Sequence, residues 1–338
     1  MTTYSTQVYL TSRPVGWPSS DNFATIRTSL PTLSDGEIRV ENEYISVDPY
    51  MRVRMSAGKS YTDPYEIGQV MTGSAIGRVI DSTVEKFPEG TVVSHRLGWR
   101  DIAQGPAEAF HPLDPVSDSL PLSIYLGLLG VTGMTAYVGL TRIAKLQEGE
   151  SVFVSGAAGA VGTAVGQFAR LLGASKVYGS TGGTEKCRLI TDKYGFDEAI
   201  DYKAAPIRKQ VNDVIGDDGL DVYFDNVGGD HLEAAIDVLA PYGRIALCGI
   251  IGQINDPEPQ PGLTNVDKML KQKLQLQGFV ISDYIDEVAE EFHRVVGGWY
   301  TDGKLVYDET VVDGIHNSVD AFLGLLRGEN TGKMLVKI

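Results

Sequence analysis

The chain contains little cysteine and little histidine. Its 338 residues include two cysteines, Cys187 and Cys248, and five histidines. Two thiols cannot build a four-cysteine zinc site, an iron–sulfur cluster or a disulfide framework. No two histidines stand at the spacing of metal ligands, and the sequence lacks the His-Glu-x-x-His pattern. It also lacks a Gly-x-Ser-x-Gly nucleophile elbow, so we predict neither a resident metal nor a serine hydrolase.

Positive charge is also scarce. Lys and Arg number 29 against 44 Asp and Glu, which gives a formal net charge of −15. We expect no nucleic-acid partner, because binding a phosphate backbone requires a basic surface. A small anionic ligand is still compatible, since it needs only one local cationic pocket. We also expect a cytoplasmic protein, because low cysteine use fits a reducing compartment and the first residues lack the basic-then-apolar pattern of a secretory signal.

Long apolar runs without glycine are missing as well. Residues 119–141 and 151–169 carry no charge, and both segments are long enough to cross a hydrocarbon core of about 30 Å. Glycines interrupt each of them repeatedly, as at Gly130 and Gly133 in the first and Gly159 and Gly162 in the second. Such segments are more typical of a buried α/β core, so we expect no membrane association.

The hydrophobic pattern changes along the chain. Residues 37–42 alternate apolar and polar side chains, and 73–80 and 90–94 are further short strand-like runs between turn residues. From Ser151 onward, strand-like runs alternate with segments of helical periodicity, which predicts a parallel, doubly wound sheet. The six predicted strands are 151–155, 176–180, 198–202, 221–226, 244–248 and 274–280.

We therefore predict an α/β protein of two domains. Residues 126–300 form a Rossmann dinucleotide-binding domain. Residues 1–125 form a β-rich barrel or sandwich that residues 301–338 complete, because the tail returns to strand-like sequence after a last amphipathic helix.

A glycine-rich turn stands between the first predicted strand and the first predicted helix of the Rossmann domain. Residues 156–162 read GAAGAVG. Small residues let the backbone approach a pyrophosphate, and the start of a helix supplies N–H groups and a partial positive charge. Because the turn belongs to a complete strand–turn–helix unit, it predicts a dinucleotide site rather than an ordinary tight turn.

The end of the second strand indicates which dinucleotide is bound. A NAD site places a carboxylate there, about 20 residues after the glycines, to accept a hydrogen bond from the ribose 2′-hydroxyl. Residues 178–186 read YGSTGGTEK and put no carboxylate at the strand end. Lys186 is placed to meet a 2′-phosphate as a point charge, and Ser180 and Thr184 can donate hydrogen bonds to it. We therefore predict NADP(H).

Two further strand ends belong to the same predicted site. Ligands of open α/β sheets bind at the carboxyl ends of the strands. Asn226 ends the fourth strand, and Cys248, Gly249 and Ile250 end the fifth, so we expect them to face the cofactor. We interpret Cys248 as a small buried apolar side chain rather than a reactive thiol.

Five motifs, taken in order, resemble those of a known family. They are SVDPYMR at 46–52, GVTGMTAY at 130–137, the glycine turn at 157–162 with Gly166-Gln167, FDNVGG at 224–229 and ENTGK at 329–333. Together they resemble the zinc-free branch of the medium-chain dehydrogenase/reductases, above all prostaglandin reductases, bacterial curcumin reductases and plant double-bond reductases. Zinc-containing relatives carry Gly-His-Glu where this chain has Gly68-Gln69-Val70, so the resemblance implies no catalytic metal.

The resemblance implies a GroES-like substrate domain together with a Rossmann domain, and it implies a homodimer. The implied reaction is NADPH-dependent reduction of the C=C bond of small α,β-unsaturated ketones or aldehydes. The pyrophosphate would meet Ala160, Val161, Gly162 and Thr163, and the 2′-phosphate would meet Lys186 and Tyr202, with Asn226 close by. The nicotinamide end would be lined by Met134, Thr135, Cys248, Gly249, Ile250, Ile254, Phe279, Val280, Ile281 and Asn330.

The sequence departs from these relatives at Ile254, where they commonly carry a tyrosine proposed to polarise the substrate carbonyl. In the implied reaction a hydride adds to the β-carbon, and negative charge develops on the carbonyl oxygen. That oxygen must meet hydrogen-bond donors. The candidate catalytic donors are Tyr50 and Tyr61, with the ribose 2′-hydroxyl of the cofactor. Each tyrosine can instead form an aromatic wall of an apolar pocket.

Other functions are compatible with the same residues. A NADPH quinone reductase shares the architecture, and a marked preference for a quinone over an enone would identify it. A non-catalytic NADPH-binding protein, related to the lens crystallins of this superfamily, would bind NADPH and turn over no enone. A NAD-dependent alcohol dehydrogenase is disfavoured by the missing metal ligands and the missing strand-end carboxylate.

Overall fold

The computed structural model describes residues 2–113, 120–258 and 262–338. Ser119, where the first uncharged segment begins, lies outside the described residues. Within the described ranges, every helix is too short or too polar to cross a membrane. The chain divides into two compact units, the first made of Met1–Leu126 with Glu309–Ile338 and the second of Gly127–Asp308.

The first unit is made mainly of strands, whereas strands and helices alternate along the second. In chain order they are β1 (Tyr4–Leu10), β2 (Phe23–Ser29), β3 (Glu37–Ser46), α1 (Tyr50–Arg54), β4 (Ala75–Ser82), β5 (Val92–His95), β6 (Ile102–Pro106), β7 (Phe110–Pro112), α2 (Val131–Val138), β8 (Ser151–Ser155), α3 (Ala160–Leu171), β9 (Lys176–Thr181), α4 (Thr184–Tyr194), β10 (Glu198–Asp201), α5 (Ile207–Val214), β11 (Leu220–Asp225), α6 (Gly229–Val238), β12 (Leu239–Leu247), α7 (Val266–Gln272), β13 (Gln275–Gly278), α8 (Ile285–Thr301), β14 (Glu309–Asp313), α9 (Ser318–Leu326) and β15 (Lys333–Lys337).

The first unit consists mainly of β-strands. β1 pairs with β2 in an antiparallel ribbon. A larger sheet has the order β14-β15-β3-β4-β5-β7, with β6 also paired to β3. The C-terminal strand β15 is antiparallel to β3, with Leu335 opposite Ser46, so a strand from the end of the chain belongs to the same sheet as β3, β4 and β5. Apolar side chains from β3 to β7, such as Ile38, Val93 and Phe110, form a core on this sheet.

The second unit is a parallel sheet of six strands flanked by helices. Its order is β10-β9-β8-β11-β12-β13, and every neighbouring pair is parallel. This is the 3-2-1-4-5-6 order of dinucleotide-binding folds, in which the chain reverses direction across the sheet between the first and fourth strands. A crevice for a ligand is therefore expected at the carboxyl ends of β8 and β11. The predicted α/β class, with a Rossmann sheet and a β-rich second domain, is confirmed.

The largest error in a predicted strand boundary is at the start of β12. β12 begins at Leu239, five residues before the predicted start at Arg244. Residues 240–243 contain Pro and Gly and resemble a turn in the sequence, and Tyr242 has a φ of +69°. The chain nevertheless continues as a strand through an irregular step, because Leu239 pairs with Leu220 before Arg244 pairs with Val222.

The second unit extends past residue 300, where the domain prediction ended it. α8 ends at Thr301, and the segment after it is hydrogen-bonded to the second unit. The N–H of Val306 donates to Gln167 Oε1 at 2.8 Å, and Gln167 Nε2 donates to the Val306 carbonyl at 3.1 Å. Asp308 accepts from Lys193 Nζ at 2.5 Å. These contacts explain why residues 301–308 group with the Rossmann unit.

Candidate active site

The turn between β8 and α3 is made of small residues for steric reasons. Gly156 has a φ of +62°, which L side chains rarely adopt. A Cβ on Gly162 would come within 2.3 Å of the Gly156 carbonyl oxygen. Only glycine therefore fits where the first turn of α3 crosses the strand end. This close packing brings the N-terminus of α3 to the carboxyl end of β8, where nucleotide pyrophosphates bind.

The first turn of α3 contains the residues predicted to contact the pyrophosphate. Ala160 and Val161 are half-buried, and Gly162 and Thr163 are buried. The first N–H groups of a helix have no partner within the helix, and the helix dipole places partial positive charge there. Apart from Thr163, whose hydroxyl lies 3.3 Å from the Ala160 carbonyl, these side chains are apolar or absent. The turn therefore offers backbone donors, which suits a pyrophosphate.

A pair of lysines marks the end of β9. Lys186 is half-buried in the first turn of α4. Burial lowers the pKa of Lys186, and the nearby charge of Lys203 lowers it further. Two like charges held this close repel each other, and an anion beside them would relieve that repulsion. The Ser180 hydroxyl, also at this strand end, is buried without a hydrogen-bond partner among the described residues. A phosphate group fits this corner.

Tyr202 lies over the loop that joins β9 to α4. A Cβ on Gly182 would come within 2.8 Å of the Tyr202 hydroxyl, so the ring and the glycine are in close contact. The edge of the His231 ring packs against Tyr202 with 5.4 Å between centroids. Burial raises the pKa of Tyr202, and Asp201 raises it further. The hydroxyl is therefore neutral near pH 7 and able to donate a hydrogen bond.

Sequence reasoning missed the role of Asp201 in this corner. Asp201 ends β10, the neighbour of β9, and its Oδ1 accepts from the N–H of Gly183 at 2.8 Å and of Lys203 at 3.0 Å. The carboxylate thus holds the β9–α4 loop beside the segment that contains Tyr202. The sequence does place an aspartate at the end of a predicted parallel strand. Its role could be recognised only from the strand order, which puts β10 beside β9.

Asp225 organises the end of β11. Its side chain is fully buried. Oδ1 accepts from the Ser155 hydroxyl at 3.0 Å, the Tyr223 hydroxyl at 2.8 Å and the N–H groups of Val227 and Gly228 at 2.9 and 2.8 Å. Burial raises the pKa of Asp225 although these hydrogen bonds oppose the rise. One carboxylate therefore ties the ends of β8 and β11 to the loop that follows.

Asn226 is fixed at the crevice by the same pair of strands. Its N–H donates to Ser155 Oγ at 2.9 Å, and its Nδ2 donates to the Ser155 carbonyl at 2.7 Å. The loop after β12 lies against it, because the N–H groups of Cys248 and Gly249 donate to the Asp225 carbonyl at 2.8 and 3.0 Å. Asn226, Cys248 and Gly249 are distant in the sequence and were predicted for one site, and they lie together at the ends of β11 and β12.

The side chains of the β12 loop differ in their exposure. Ile250 is 46% exposed, and Ile254 is half-buried in the same loop. Cys248 is half-buried as a residue. Desolvation of its sulfur and the nearby charge of Asp225 together raise the pKa of Cys248 to about 12. The thiolate is therefore negligible near neutral pH, which fits the interpretation of Cys248 as a packing residue.

The remaining candidates of the second unit lie near α2 and the end of β13. The Phe279 N–H donates to the Leu247 carbonyl at 3.3 Å. Its ring packs edge-on against Phe224 at 6.3 Å. Met134 is buried in α2, and Thr135 is half-buried. α2 packs against the turn Ile281–Asp283 that follows Val280. Met134, Thr135, Phe279, Val280 and Ile281 thus belong to adjoining elements.

In the first unit, Tyr50 begins α1. Its hydroxyl is buried and lies 3.7 Å from the position that a Cβ on Gly73 would take. Burial and the charge of Asp48 together raise the pKa of Tyr50 to about 12, against the opposing charges of Arg96 and Arg54. Tyr50 is therefore a neutral hydrogen-bond donor over the physiological pH range.

Tyr65, which sequence reasoning missed, is the aromatic neighbour of Tyr50. Burial raises the pKa of Tyr65, and the proximity of Tyr50 contributes. The Tyr65 hydroxyl donates to the Thr72 carbonyl at 2.5 Å, and the Arg54 guanidinium lies 4.0 Å from the ring centroid. Tyr61, the other predicted catalytic donor, is 58% exposed.

Asn330 is the one cofactor candidate that belongs to the first unit. It is buried, and its Nδ2 donates to the Gly332 carbonyl at 2.8 Å. Gly68-Gln69-Val70, at the position of the family's zinc-binding motif, contributes a backbone carbonyl from Gln69 to the N–H of Leu10 at 3.1 Å. Across the parts of the chain that the structure describes, no three His, Cys, Asp or Glu side chains are grouped so as to hold a metal ion.

Comparison with known proteins identifies the family. Residues 6–113 match the family described as "N-terminal domain of oxidoreductase", and residues 160–296 match the one described as "Zinc-binding dehydrogenase". The chain is 40% identical to prostaglandin reductase 1 of Bos taurus, over 96% of either chain. It is 36% identical to the NADPH-dependent curcumin reductase of Escherichia coli, over 97% of this chain and 95% of the relative. The solved structure of CurA in complex with NADPH from Vibrio vulnificus is 40% identical and covers 98% of each chain with a TM-score of 0.93.

These similarities extend over nearly the whole chain and over both units. The chain belongs to the medium-chain dehydrogenase/reductase family, in its zinc-free reductase branch. The resemblance drawn from the sequence motifs is thereby confirmed.

Proposed function

We propose that this protein reduces the carbon–carbon double bond of α,β-unsaturated ketones and aldehydes without a catalytic metal. It is an NADP-dependent double-bond reductase, and its cofactor is NADP(H). NADPH is named for two of its relatives, the curcumin reductase of Escherichia coli and the solved CurA complex of Vibrio vulnificus. The observation that carries the cofactor part of the proposal is the lysine corner at the end of β9, a strand that lacks the terminal carboxylate of a NAD site. Burial and the nearby charge of Lys203 lower the pKa of Lys186 there, and an anionic phosphate would relieve that repulsion.

The second unit would hold the cofactor along the carboxyl edge of its sheet. The backbone of Ala160, Val161, Gly162 and Thr163 suits the pyrophosphate. Lys186 and Tyr202 suit the 2′-phosphate, because one supplies a charge and the other a neutral hydroxyl. Asn226 is held rigidly by Ser155 and would contact the ribose.

The nicotinamide end would be lined by side chains that exclude water rather than react. The candidates are Met134, Thr135, Cys248, Gly249, Ile250, Ile254, Phe279, Val280, Ile281 and Asn330. When bound, NADPH supplies the hydride for the reaction. The apolar members of this set would keep the site dry, which strengthens every polar interaction inside it.

We assign Tyr50 as the donor to the substrate carbonyl. Its hydroxyl is neutral, since the pKa of Tyr50 is raised to about 12. It can therefore donate a hydrogen bond to an oxygen on which negative charge develops. The positive charges of Arg54 and Arg96 favour such an oxygen as well. Tyr61, being mostly exposed, suits an aromatic wall of the substrate pocket better than a second donor.

Steady-state kinetics test this function. We expect NADPH oxidation with conjugated enones and enals, little with saturated aldehydes, and a product heavier than the substrate by two hydrogen atoms. A marked preference for quinones would overturn the assigned reaction. Tight NADPH binding without turnover on any enone would make the protein a binding protein instead.

We further propose a cytoplasmic homodimer, because the resemblance implies a dimer and low cysteine use fits a reducing compartment. Light scattering should give twice the 36.5 kDa mass of one chain. A mass of one chain would contradict the dimer, and recovery of the protein outside the cytoplasmic fraction would contradict the location.

A further inference from the structure

Lys333 is a lysine buried inside the first unit. Its side chain is 2% exposed. Nζ donates to the Val47 carbonyl at 2.9 Å, to Asp48 Oδ1 at 2.9 Å and to the Met334 carbonyl at 3.1 Å. An ammonium group has three donors, so this set uses all of them. Lysine is almost never fully buried unless it is paired, and this network supplies the pairing.

Asp48 connects that lysine to Tyr50. Its other oxygen, Oδ2, accepts from the Ser46 hydroxyl at 2.5 Å. Its backbone carbonyl accepts from the N–H of Met51 at 3.2 Å, in the turn that starts α1. Between Asp48 and Tyr50 stands Pro49, whose ring fixes φ near −60°. Asp48 is therefore held by its side chain at β15 and by its backbone at the turn that starts α1, two residues before Tyr50.

The same lysine anchors the segment that contains Asn330. Lys333 is the first residue of β15, three residues after Asn330. Asn330 donates to the Gly332 carbonyl at 2.8 Å, and the N–H of Thr331 donates to the Thr310 hydroxyl at 3.0 Å. One buried ammonium group thus joins two segments of the first unit, each of which presents a candidate site residue.

We propose that Lys333 is a positioning residue that holds Tyr50 in its working place by clamping Asp48 to β15. The proposal rests on the donor role assigned to Tyr50. Lys333 itself is enclosed by Val47, Asp48 and Met334, and it acts on the reaction only through Asp48.

The first test compares Lys333→Met with Lys337→Met. Lys337 belongs to the same strand but is exposed, so it controls for loss of a lysine from β15. We expect Lys333→Met to lower kcat for an enone by about a hundredfold, the effect of misplacing a reacting group by roughly 1 Å. The Kd for NADPH, measured by fluorescence titration, should stay unchanged in Lys337→Met. In Lys333→Met it should change far less than kcat, because Asn330 is one of many proposed cofactor contacts. An unchanged kcat in a folded Lys333→Met protein would overturn the proposal.

A second variant separates positioning from stability. Lys333→Met alone leaves the Asp48 carboxylate without its partner, which lowers the melting temperature. Adding Asp48→Asn removes that charge, so the melting temperature should recover. We expect kcat to stay low, because Asp48→Asn/Lys333→Met has no clamp. Recovery of kcat together with the melting temperature would show a merely structural role. If Lys333→Met fails to fold, this neutral pair serves for the kinetic comparison as well.

A double-mutant cycle with Tyr50→Phe completes the test. If Lys333 acts through Tyr50, then Lys333→Met should lower kcat little further in a Tyr50→Phe background. Multiplicative losses would refute the positioning role while leaving the assigned donor in place. If Tyr50→Phe alone leaves kcat unchanged, the donor assignment fails, and the proposal for Lys333 fails with it.

Discussion

Replacing Lys186 with alanine should weaken NADPH selectively. A hydrogen bond to a charged group contributes about 1.5–3 kcal/mol. Lys186 is only half-buried, so solvent screens part of its interaction, and Lys203 stays nearby to compensate. We therefore expect a loss of roughly 1.5–2 kcal/mol, which raises the KM for NADPH by about 10- to 30-fold at 1.4 kcal/mol per tenfold.

The assay measures kcat/KM for NADPH and for NADH with one enone at constant ionic strength. NADH has no 2′-phosphate, so its kcat/KM should change little in Lys186→Ala. Arg188→Ala is the matched control, because Arg188 is an exposed cation on the same helix. An equal loss with both cofactors, or no loss with NADPH, would refute the placement of Lys186 at the phosphate.

Three further predictions concern the crevice and its surroundings. Gly162→Ala, whose Cβ would meet the Gly156 carbonyl at 2.3 Å, should destabilise the fold by about 1–3 kcal/mol and weaken NADPH binding in a titration. Asp225→Ala leaves four hydrogen-bond donors unmatched in a buried site, so its urea midpoint should fall far below that of the parent protein. Cys248 and Tyr50 have folded pKa values of about 12 against ordinary values of 9.0 and 10.0. Their raised pKa values give stability that is fully present below pH 9 and lost as the pH rises toward 12, so the melting temperature should fall over that interval. A melting temperature that stays constant up to pH 12 would contradict the desolvation of the Cys248 sulfur and the Tyr50 hydroxyl.

The sequence was most informative where local pattern and tertiary structure agree. The six strands of the Rossmann sheet were predicted because strand-like runs alternate with segments of helical periodicity from Ser151 onward, and β8 and β11 are mostly apolar. The start of β12 was not, since Pro241 and Gly243 resemble a turn and only pairing with β11 keeps the chain extended. The spacing of apolar residues in the sequence does not show where a strand contains an irregular step.

The candidate site was predicted less completely than the fold. Lys186 and Asn226 follow from a rule about strand ends, but Asp201 and Lys203 became recognisable only when β10 paired beside β9, with Asp201 opposite Thr181. The proximity of Tyr65 to Tyr50 was missed for a similar reason. The N–H of Tyr65 donates to the Arg54 carbonyl at 2.7 Å, which returns the chain to α1, and no local pattern indicates that return.

Deuterium transfer from the cofactor distinguishes reduction of the carbon–carbon double bond from reduction of the carbonyl. The protein should be incubated with an enone and NADPH that bears deuterium at the transferred position of the nicotinamide, and the product examined by NMR. We expect a saturated ketone with one deuterium on the former β-carbon. An allylic alcohol with deuterium on the carbonyl carbon, or no deuterated product at all, would contradict it.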